Sequence, residues 1–338
     1  MKKILSLCLL LVAYILPHPV HAQRTADVGY SSGVVNFVGD LANEKYFPFS
    51  SLSTGMAVTL RNFMNNPRHS GTTTRPFDMQ LRLSWHRLQY DETNAVNGKK
   101  GKDLRNYMRG LNFRNDLFGA EADITYNIYL NKYSPLWKPK WTIFFLTGIG
   151  AFYGQPKADL FHGSAEYGNR YYYWSDGSIR NIEENTKNPG KVIEKDGKYE
   201  TSLRDWNTEG QGYNNEVHNK KPYSFTNVGI PFGSGVRYIY NKYLTVSAEM
   251  NYYFFLTDYL DDASGRYATY EELKASFPDP EKFEMAKYIS DPTGHGTNGY
   301  IGTPTSKRGN PNLKDAFTYV SLEVAYKFVW KRKGIYGQ

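Results

Sequence analysis

The sequence predicts an all-β protein: an eight-stranded antiparallel barrel that spans the outer membrane and carries long extracellular loops. Three observations predict it. Apolar and polar residues alternate with a period of two over segments of about ten residues or more. Aromatic residues, which favour strands, make up 16% of the 338 residues. Beyond residue 22, no apolar run approaches the ~20 residues that a spanning helix needs, so a closed barrel is the remaining way to cross a bilayer.

The five clearest strands each have one apolar and one polar face. Apolar side chains occupy every second position in 52–60, 77–85, 118–130, 246–256 and 320–328. A strand crossing a bilayer at a tilt needs ~9–11 residues, whereas strands of soluble sandwiches usually have about 5–6. This length favours lipid on the apolar side and a polar lumen on the other. Aromatic residues near the segment ends indicate the same arrangement: Trp85, Tyr129, Tyr259 and Trp330.

Three weaker segments complete an even number of strands. Residues 26–41 alternate weakly and are rich in Gly and Val. Residues 141–154 are apolar on both faces, with glycines that ease crowding or a bend. Residues 224–240 contain Pro231 and three glycines, which predict a bulge or a bend in that strand.

The connectors alternate in length along the chain. The short ones are 64–76, 131–140 and 241–242. The long ones are roughly 91–116, 155–223 and 258–316, and 42–50 is the short exception among them. Outer-membrane barrels have short periplasmic turns and long outer loops, so we expect both termini in the periplasm. Within the last long loop, residues 270–289 predict one or two short helices.

Residues 1–22 have the organisation of a secretory signal peptide: a basic start, an apolar core and a small-x-small site at 20–22. We expect cleavage between Ala22 and Gln23. Residues 23–338 would then form the barrel domain, outside the cytoplasm.

Charge and cysteine content exclude several functional classes. The formal net charge is +8, but the basic residues are scattered through loop-like stretches, which gives a nucleic-acid partner little support. The single cysteine, Cys8, lies in the leader. The mature chain therefore has no thiol for a disulfide, a thiolate metal site or a nucleophile.

One pair of residues raises the question of catalysis. Ser84 and His86 share the inward face of one predicted strand, and a lipid-deacylating barrel would need a Ser–His pair within hydrogen-bond reach. Residues two apart on a strand are separated by ~6.6 Å. Direct contact is therefore not expected, and we favour ordinary filling of the lumen.

No spacing in the sequence points to a metal or cofactor. An acidic group at Asp258, Asp261, Asp262, Glu271 and Glu272 could hold calcium, but it does not match the EF-hand loop, and a solvated acidic turn is favoured. Beyond the leader, five histidines form no close metal-ligand pair: His69, His86, His162, His218 and His295. No phosphate loop or dinucleotide motif occurs.

The charged residues of the strands are expected to point into the lumen. They are Asp78, Arg82, Glu121, Asp123, Glu249 and Glu323, with Arg61, Arg237 and Lys327. An eight-stranded barrel is just wide enough for side chains to fill. Opposite charges there are expected to pair into a plug rather than line a transport channel.

Several motifs, taken in order, resemble the PorG-like outer-membrane barrels of the Bacteroidota type IX secretion system. They are NFVGDL at 36–41, GIGAFY at 148–153, TEGQG at 208–212, IPFGSG at 230–235, FLTDYLDDASG at 255–265, RGN at 308–310 and YKF at 326–328. The run 255–265 is the most specific. The resemblance covers most of the mature chain, and 161–205 and 273–307 look like loop expansions.

The resemblance implies a non-enzymatic part of a secretion and gliding apparatus, embedded among outer-membrane lipids. In that family the barrel associates with a periplasmic ring, built of a lipoprotein and its partner, and is needed for export of cargo with C-terminal signals. No catalytic residue is carried over. Lys331, Arg332 and Lys333 in the C-terminal tail could meet an acidic partner, and positive charge at the membrane rim explains them equally well.

Two other functions remain open. The first is a general outer-membrane barrel that binds glycans, lipids or surface ligands through its loops, with the aromatic cluster 171–174 (YYYW) carrying the binding. The second is a lipid-modifying enzyme that uses Ser84 and His86.

Overall fold

The computed structural model describes eight stretches of the chain. They are residues 24–41, 51–61, 76–95, 109–129, 140–185, 187–212, 221–294 and 306–330. The predicted signal peptide with its cleavage site at Ala22 and Gln23, and the basic tail with Lys331, Arg332 and Lys333, lie outside these stretches. No helix among the described residues is long and apolar enough to cross a membrane.

Eight long strands form a single closed sheet. They are β1 (Arg24–Val38), β2 (Ser53–Arg61), β3 (Phe77–Asp91), β4 (Asn112–Tyr129), β5 (Trp141–Tyr153), β6 (Thr226–Ile239), β7 (Leu244–Phe255) and β8 (Ala316–Trp330). Each strand pairs antiparallel with the strands before and after it in the chain. Pairing of β1 with β8 closes the ring. The predicted eight-stranded antiparallel barrel is confirmed.

The barrel has an apolar outside and a polar inside, as the alternation predicts. Leu83 and Leu322 are each 66% exposed on the outer face, and Ile149 is 60% exposed. The inward-facing residues next to two of them in the strands, Arg82 and Glu323, are 1% and 0% exposed. An outward apolar band of this kind is the surface that a spanning barrel presents to lipid.

The hairpin of β3 and β4 extends further than the predicted strands 77–85 and 118–130. Its outward positions change from exposed Leu83 to half-buried Arg87 and Gln89. Its inward positions change in the opposite sense, from buried Arg82 to fully buried Leu88. The alternation therefore continues with its polarity inverted, because above the apolar band the outside is polar and the inside joins a hydrophobic core.

A glycine permits the closure of the barrel. A Cβ on Gly33 of β1 would lie 2.6 Å from the Cα of Ser321 in β8, closer than real Cβ atoms approach a backbone atom. The paired strands can meet at this point only without a side chain.

Of the bulge or bend predicted in β6, the bulge is absent. Pairing with β5 is interrupted at Ile230 and Pro231, but the register is the same on either side, with Gly229 opposite Gly150 and Phe232 opposite Thr147. Proline has no N–H to donate to the ladder. The pairing is therefore interrupted without insertion of an extra residue.

The long connectors all leave the same end of the barrel, and the tight turn at 240–243 lies at the other. The connector after β7 contains α1 (Tyr270–Ser276) and α2 (Pro280–Ser290), which confirms the predicted short helices. Thr269 and Glu272 form a capping box at the start of α1, and the Asp279 carboxylate caps α2.

The connector after β5 adds short strands and 3₁₀ turns to this structure. Lys157–Ala158 pairs with β4 at Arg114 and with Thr201–Ser202. Buried residues from the strand ends and from both long connectors form one hydrophobic cluster. It includes Phe37, Leu88, Phe113, Leu160, Phe161, Leu260, Ile289 and Phe317. We call this folded outer structure, formed by the described residues of 154–212 and 256–315 with the ends of β3 and β4, the cap.

Candidate functional site

The lumen is crossed by buried ion pairs. Arg61 of β2 donates to both carboxylate oxygens of Glu323 of β8, with Nη1 at 3.2 Å from Oε2. Its Nη1 also lies 3.8 Å from Glu249 of β7, whose other oxygen pairs with Arg82 of β3 at 2.7 Å. All four side chains are at most 3% exposed. The predicted pairing of opposite charges in the lumen is confirmed, and their burial argues against an open channel through this layer.

Glycine gives this network the space it needs. Gly29 of β1 lies between β2 and β8, and a Cβ there would stand 2.6 Å from Thr59 Oγ1 and 2.7 Å from Glu323 Cδ. Thr59 donates to Glu323 across this gap. The pair Arg61–Glu323 therefore spans two strand spacings because the intervening strand presents no side chain.

Ser84 and His86 are not brought together. Ser84 Oγ donates to Glu121 Oε1 at 2.7 Å. His86 is fully buried among Tyr253, Phe317 and Tyr319, with ring centroids 4.7–5.3 Å apart. Among the described residues, neither imidazole nitrogen has a hydrogen-bond partner. The geometry therefore gives no support to a serine nucleophile activated by this histidine.

Beyond His86 and the aromatic rings around it, a second polar network closes the mouth of the barrel. Arg109, before β4, donates from Nε to both oxygens of Glu92 at 3.0 Å. Its Nη1 reaches the carbonyl of Arg308 at 2.7 Å, and its Nη2 reaches that of Asp40 at 3.1 Å. One guanidinium thus ties together the loops after β1, β3 and β7.

Glu209 links the connector after β5 to this network at the mouth of the barrel. Its carboxylate accepts the backbone N–H of Ser264 at 2.7 Å and that of Gly265 at 2.9 Å. Arg308 Nη1 lies 3.0 Å from the carboxylate of Asp262 and 4.0 Å from that of Glu209. Asp262 also accepts from Thr208 and Tyr223, each at 2.7 Å.

The predicted solvated acidic turn is wrong. Asp258, Asp261 and Asp262 are 2%, 1% and 0% exposed, and Glu272 is 3% exposed in an ion pair with Arg266. Glu271 is exposed. Partners from other loops account for the burial, since a buried carboxylate is stable only when donors or cations surround it. Tyr259 also lies in this network, stacked on Tyr223 at 4.7 Å, rather than at the lipid rim as predicted.

Burial raises the pKa of several mouth carboxyls. It raises the pKa of Asp40 to about 7 and that of Asp258 to about 6. Burial also holds the pKa of Asp261 and Asp315 well above the usual range, and the neighbouring carboxylates raise it further. The mouth of the barrel therefore contains acids that are protonated at a pH where exposed carboxyls are charged.

The aromatic cluster 171–174 packs mostly inside the cap. Tyr171, Tyr173 and Trp174 are 1%, 8% and 7% exposed, and only Tyr172 is half-buried. Tyr288 of α2 donates to the carbonyl of Leu160 at 2.6 Å and accepts from the Tyr171 N–H at 3.1 Å. The expectation that this whole cluster offers aromatic faces to a ligand is therefore wrong.

A cavity of about 480 Å³ opens between this segment and α2. Its lining includes Arg170 and Tyr172 from one side and Lys287 from the other, with Glu183 and Glu184 at the edge. Arg170 lies 4.7 Å from the Tyr172 ring centre. The cavity thus offers the partly exposed rings of Tyr167, Tyr172 and Tyr270 beside charges of both signs.

The residues that hold the mouth together were not predicted as a site. Arg109 and Glu92 attracted no functional interpretation, since they have no distinctive spacing in the chain. Asp40, Glu209 and Arg308 stand in segments singled out for the resemblance, which was the available signal.

The sequence matches no protein-family model, and it is similar to no curated protein. Among solved structures, the chain is similar to Neisserial surface protein A (NspA), at 10% identity and a TM-score of 0.32, covering 90% of this chain and 97% of that one. It is similar to a major outer membrane protein from Thermus thermophilus, at 10% identity and a TM-score of 0.31, covering 90% and 99%. It is also similar to OprG from Pseudomonas aeruginosa, at 8% identity and a TM-score of 0.31, covering 92% and 99%. At these scores the similarity carries no functional argument, and the barrel is established by the closed strand pairing of the chain itself.

Proposed function

We propose that the protein is a non-enzymatic outer-membrane barrel of a type IX secretion and gliding machinery. It would anchor or position a periplasmic ring, built of a lipoprotein and its partner, for export of cargo with C-terminal signals. Both termini and the short turns would face the periplasm. The proposal rests on the motifs that resemble the PorG-like barrels.

One observation supports it above the others: motifs far apart in the sequence meet in one network. Asp40 of NFVGDL accepts from Asn310 of RGN at 2.6 Å. Glu209 of TEGQG accepts from the backbone of DDASG, and Arg308 of RGN pairs with Asp262 of the same run. Motifs that depend on one another for burial are expected to be retained together, which a chance resemblance would not require.

The filled lumen supports a positional role over a conducting one. Arg61, Arg82, Glu249 and Glu323 occupy the barrel interior with at most 3% exposure. A polypeptide cargo cannot pass through an eight-stranded barrel whose interior is packed with side chains. In an export apparatus this chain would therefore act as a fixed point in the membrane.

The test is recovery of ring proteins on the detergent-solubilised, tagged barrel from its native host, together with export of signal-bearing cargo in a deletion strain. We expect co-purification of the ring pair and loss of export. Replacing Lys331, Arg332 and Lys333 by Ala should weaken recovery. Replacing the exposed outer-loop residues Lys187 and Lys191 by Ala is the matched control and should not. Clean recovery of folded barrel without ring proteins, with export intact in the deletion strain, would contradict the proposal.

A second candidate function is favoured by the cap cavity: binding of a surface glycan. An aromatic face beside carboxylates and cations suits a sugar, which stacks on rings and hydrogen-bonds to charged groups. Calorimetry with oligosaccharides from the bacterial surface should then show binding that Tyr172→Ala removes. Tyr240→Ala, an exposed tyrosine at the opposite end, is the control. Equal binding by both variants would contradict this candidate.

A further inference from the structure

Three carboxylates of the cap converge at a point away from the barrel mouth. Asp159 follows the short strand Lys157–Ala158, and Glu200 precedes its partner Thr201–Ser202. Asp196 stands in the turn before Glu200. One carboxylate oxygen from each residue lies within 4.8 Å of those of the other two. The pairing of the two short strands therefore holds carboxylates from distant parts of the connector together.

The oxygens of this group divide into those with hydrogen-bond donors and those without. Glu200 Oε1 accepts the N–H groups of Leu160 and Phe161, each at 3.0 Å. Asp159 Oδ2 accepts the N–H of Gly197 at 2.8 Å. Glu200 Oε2 and Asp159 Oδ1 are buried and accept no hydrogen bond from any described residue.

The unpaired oxygens belong to a partly buried site. Asp159 is 3% exposed, and Asp196 and Glu200 are half-buried. A buried carboxylate oxygen without a donor is costly, and bound cations are one of the ways in which proteins satisfy it. The backbone donors orient each carboxylate. Both oxygens of Asp196 accept backbone N–H groups, from Gly163 and Lys198, so the oxygens left for a ligand of positive charge are Asp159 Oδ1 and Glu200 Oε2.

Nearby cations do not neutralise the group. Lys195 lies close by but pairs with Asp91 at 3.0 Å. Lys198 pairs with Asp196 at 3.1 Å, but its side chain is 61% exposed, so the pair contributes little and can separate. Three acids therefore face two lysines, of which one is held by Asp91 and the other is exposed.

We propose that Asp159, Asp196 and Glu200 form a calcium site in the cap. All ligands are carboxylate oxygens, which suits a hard cation and excludes a preference for zinc or copper. Ca²⁺ accepts irregular coordination by carboxylates and water, whereas Mg²⁺ demands near-ideal octahedral geometry at ~2.0–2.1 Å. Waters would complete the coordination. The ion would fasten the turn 196–200 to the start of the connector and stabilise the cap.

The test uses the full chain folded in detergent, with calcium titrated by calorimetry and terbium luminescence as a second readout. We expect one saturable site with a Kd on the order of 10⁻⁴–10⁻³ M, the range of extracellular calcium modules. Asp159→Asn and Glu200→Gln should each weaken binding at least ~10-fold, since each removes a charged ligand. Asp205→Asn, an exposed acid in the same connector, should leave it unchanged.

Folding of every variant is checked by its shift in gel mobility on heating. If a buried variant fails this check, Asp196→Asn replaces it, because Asp196 is the less buried aspartate. Calcium should also slow proteolysis within 161–200 in the wild type. Absence of saturable binding up to ~10 mM, tenfold above the weakest such modules, would overturn the proposal. Equal affinity in the folded wild type and variants would overturn it as well.

Discussion

Arg87 Nε donates to Asp116 Oδ1 at 2.8 Å, directly across the β3–β4 pair on the outer face of the barrel. Trp85 is the outward-facing residue before Arg87 on β3, and its ring centre lies 5.3 Å from the Arg87 guanidinium. Leu83 is the outward-facing residue before Trp85, and it is 66% exposed. An ion pair open to water cannot face hydrocarbon, so this pair marks where the barrel leaves the membrane and the cap begins.

The first prediction concerns this boundary. Leu322→Arg places a charge in the apolar band and should lower the free energy of unfolding by about 2–4 kcal/mol. Leu313→Arg, the same substitution at an exposed leucine of the cap, should change it by no more than about 0.5 kcal/mol. Urea unfolding in lipid vesicles measures both. Equal effects would mean that the band does not contact lipid.

The second prediction concerns the lumen. Glu323→Met leaves Arg61 with only its longer contact to Glu249 and should lower the free energy of unfolding by about 3–5 kcal/mol. The double variant Arg61→Met/Glu323→Met should recover much of that loss, because no buried charge is left without its partner. A double variant less stable than the single one would show that the pair stabilises the barrel beyond mutual neutralisation.

The third prediction is that the stability of the barrel mouth depends on pH. Burial raises the pKa of Asp40 from 3.8 to about 7 and that of Asp258 to about 6. Between pH 4 and 7 the folded mouth therefore binds protons that the unfolded chain has released, so its stability falls as pH rises through this range. Protection of cap amides from exchange, corrected for intrinsic rates, should be more than ~10-fold greater at pH 5 than at pH 8.

The control for this pH effect is the double variant Asp40→Asn/Asp258→Asn. Its amide groups remain neutral at any pH, so the cap of this variant should show a much weaker dependence. Greater protection at pH 8 than at pH 5 in the wild type would contradict the assigned direction.

The fourth prediction separates cap from barrel. Arg308→Ala leaves Asp262 and Glu209 without their shared cation, which should weaken the mouth network by about 3–5 kcal/mol. We expect rapid trypsin cleavage within the cap while the barrel keeps its heat-dependent gel mobility. Lys307→Ala removes an exposed neighbouring charge and should behave as wild type. Cleavage at the wild-type rate in Arg308→Ala would rule out the clamping role.

Much of the barrel followed from local pattern. The inward direction of Arg82 and Glu323 and the outward direction of Leu83 and Leu322 are confirmed, because neighbouring side chains on a strand point to opposite faces. The prediction left out the last residues of β3 and the first residues of β4. Beyond His86 the apolar side chains point inward, so this part of the hairpin does not follow the rule that the apolar face of a strand points outward. Pro231 and the glycines of β6 predicted a bulge or a bend, and the bulge is absent because the proline removes a donor without adding a residue.

The mouth network and the three cap carboxylates could not be predicted in the same way. Asp262 and Asp261 read as a solvated turn because adjacent acids are usually exposed, and the donors that bury them come from Leu41, Thr208, Tyr223 and Arg308. Ser84 and His86 were expected not to meet, and Ser84 bonds to Glu121 on the next strand instead.

By itself, the sequence determined the number of strands, the outward face of the five clearest strands and the end that carries the long loops. These depend on strand geometry and on solvation by lipid or water, which act on each segment separately. Only the tertiary structure decided which charges are buried and what surrounds them. That outcome depends on desolvation and on partners from several loops at once, and no single stretch of sequence contains both.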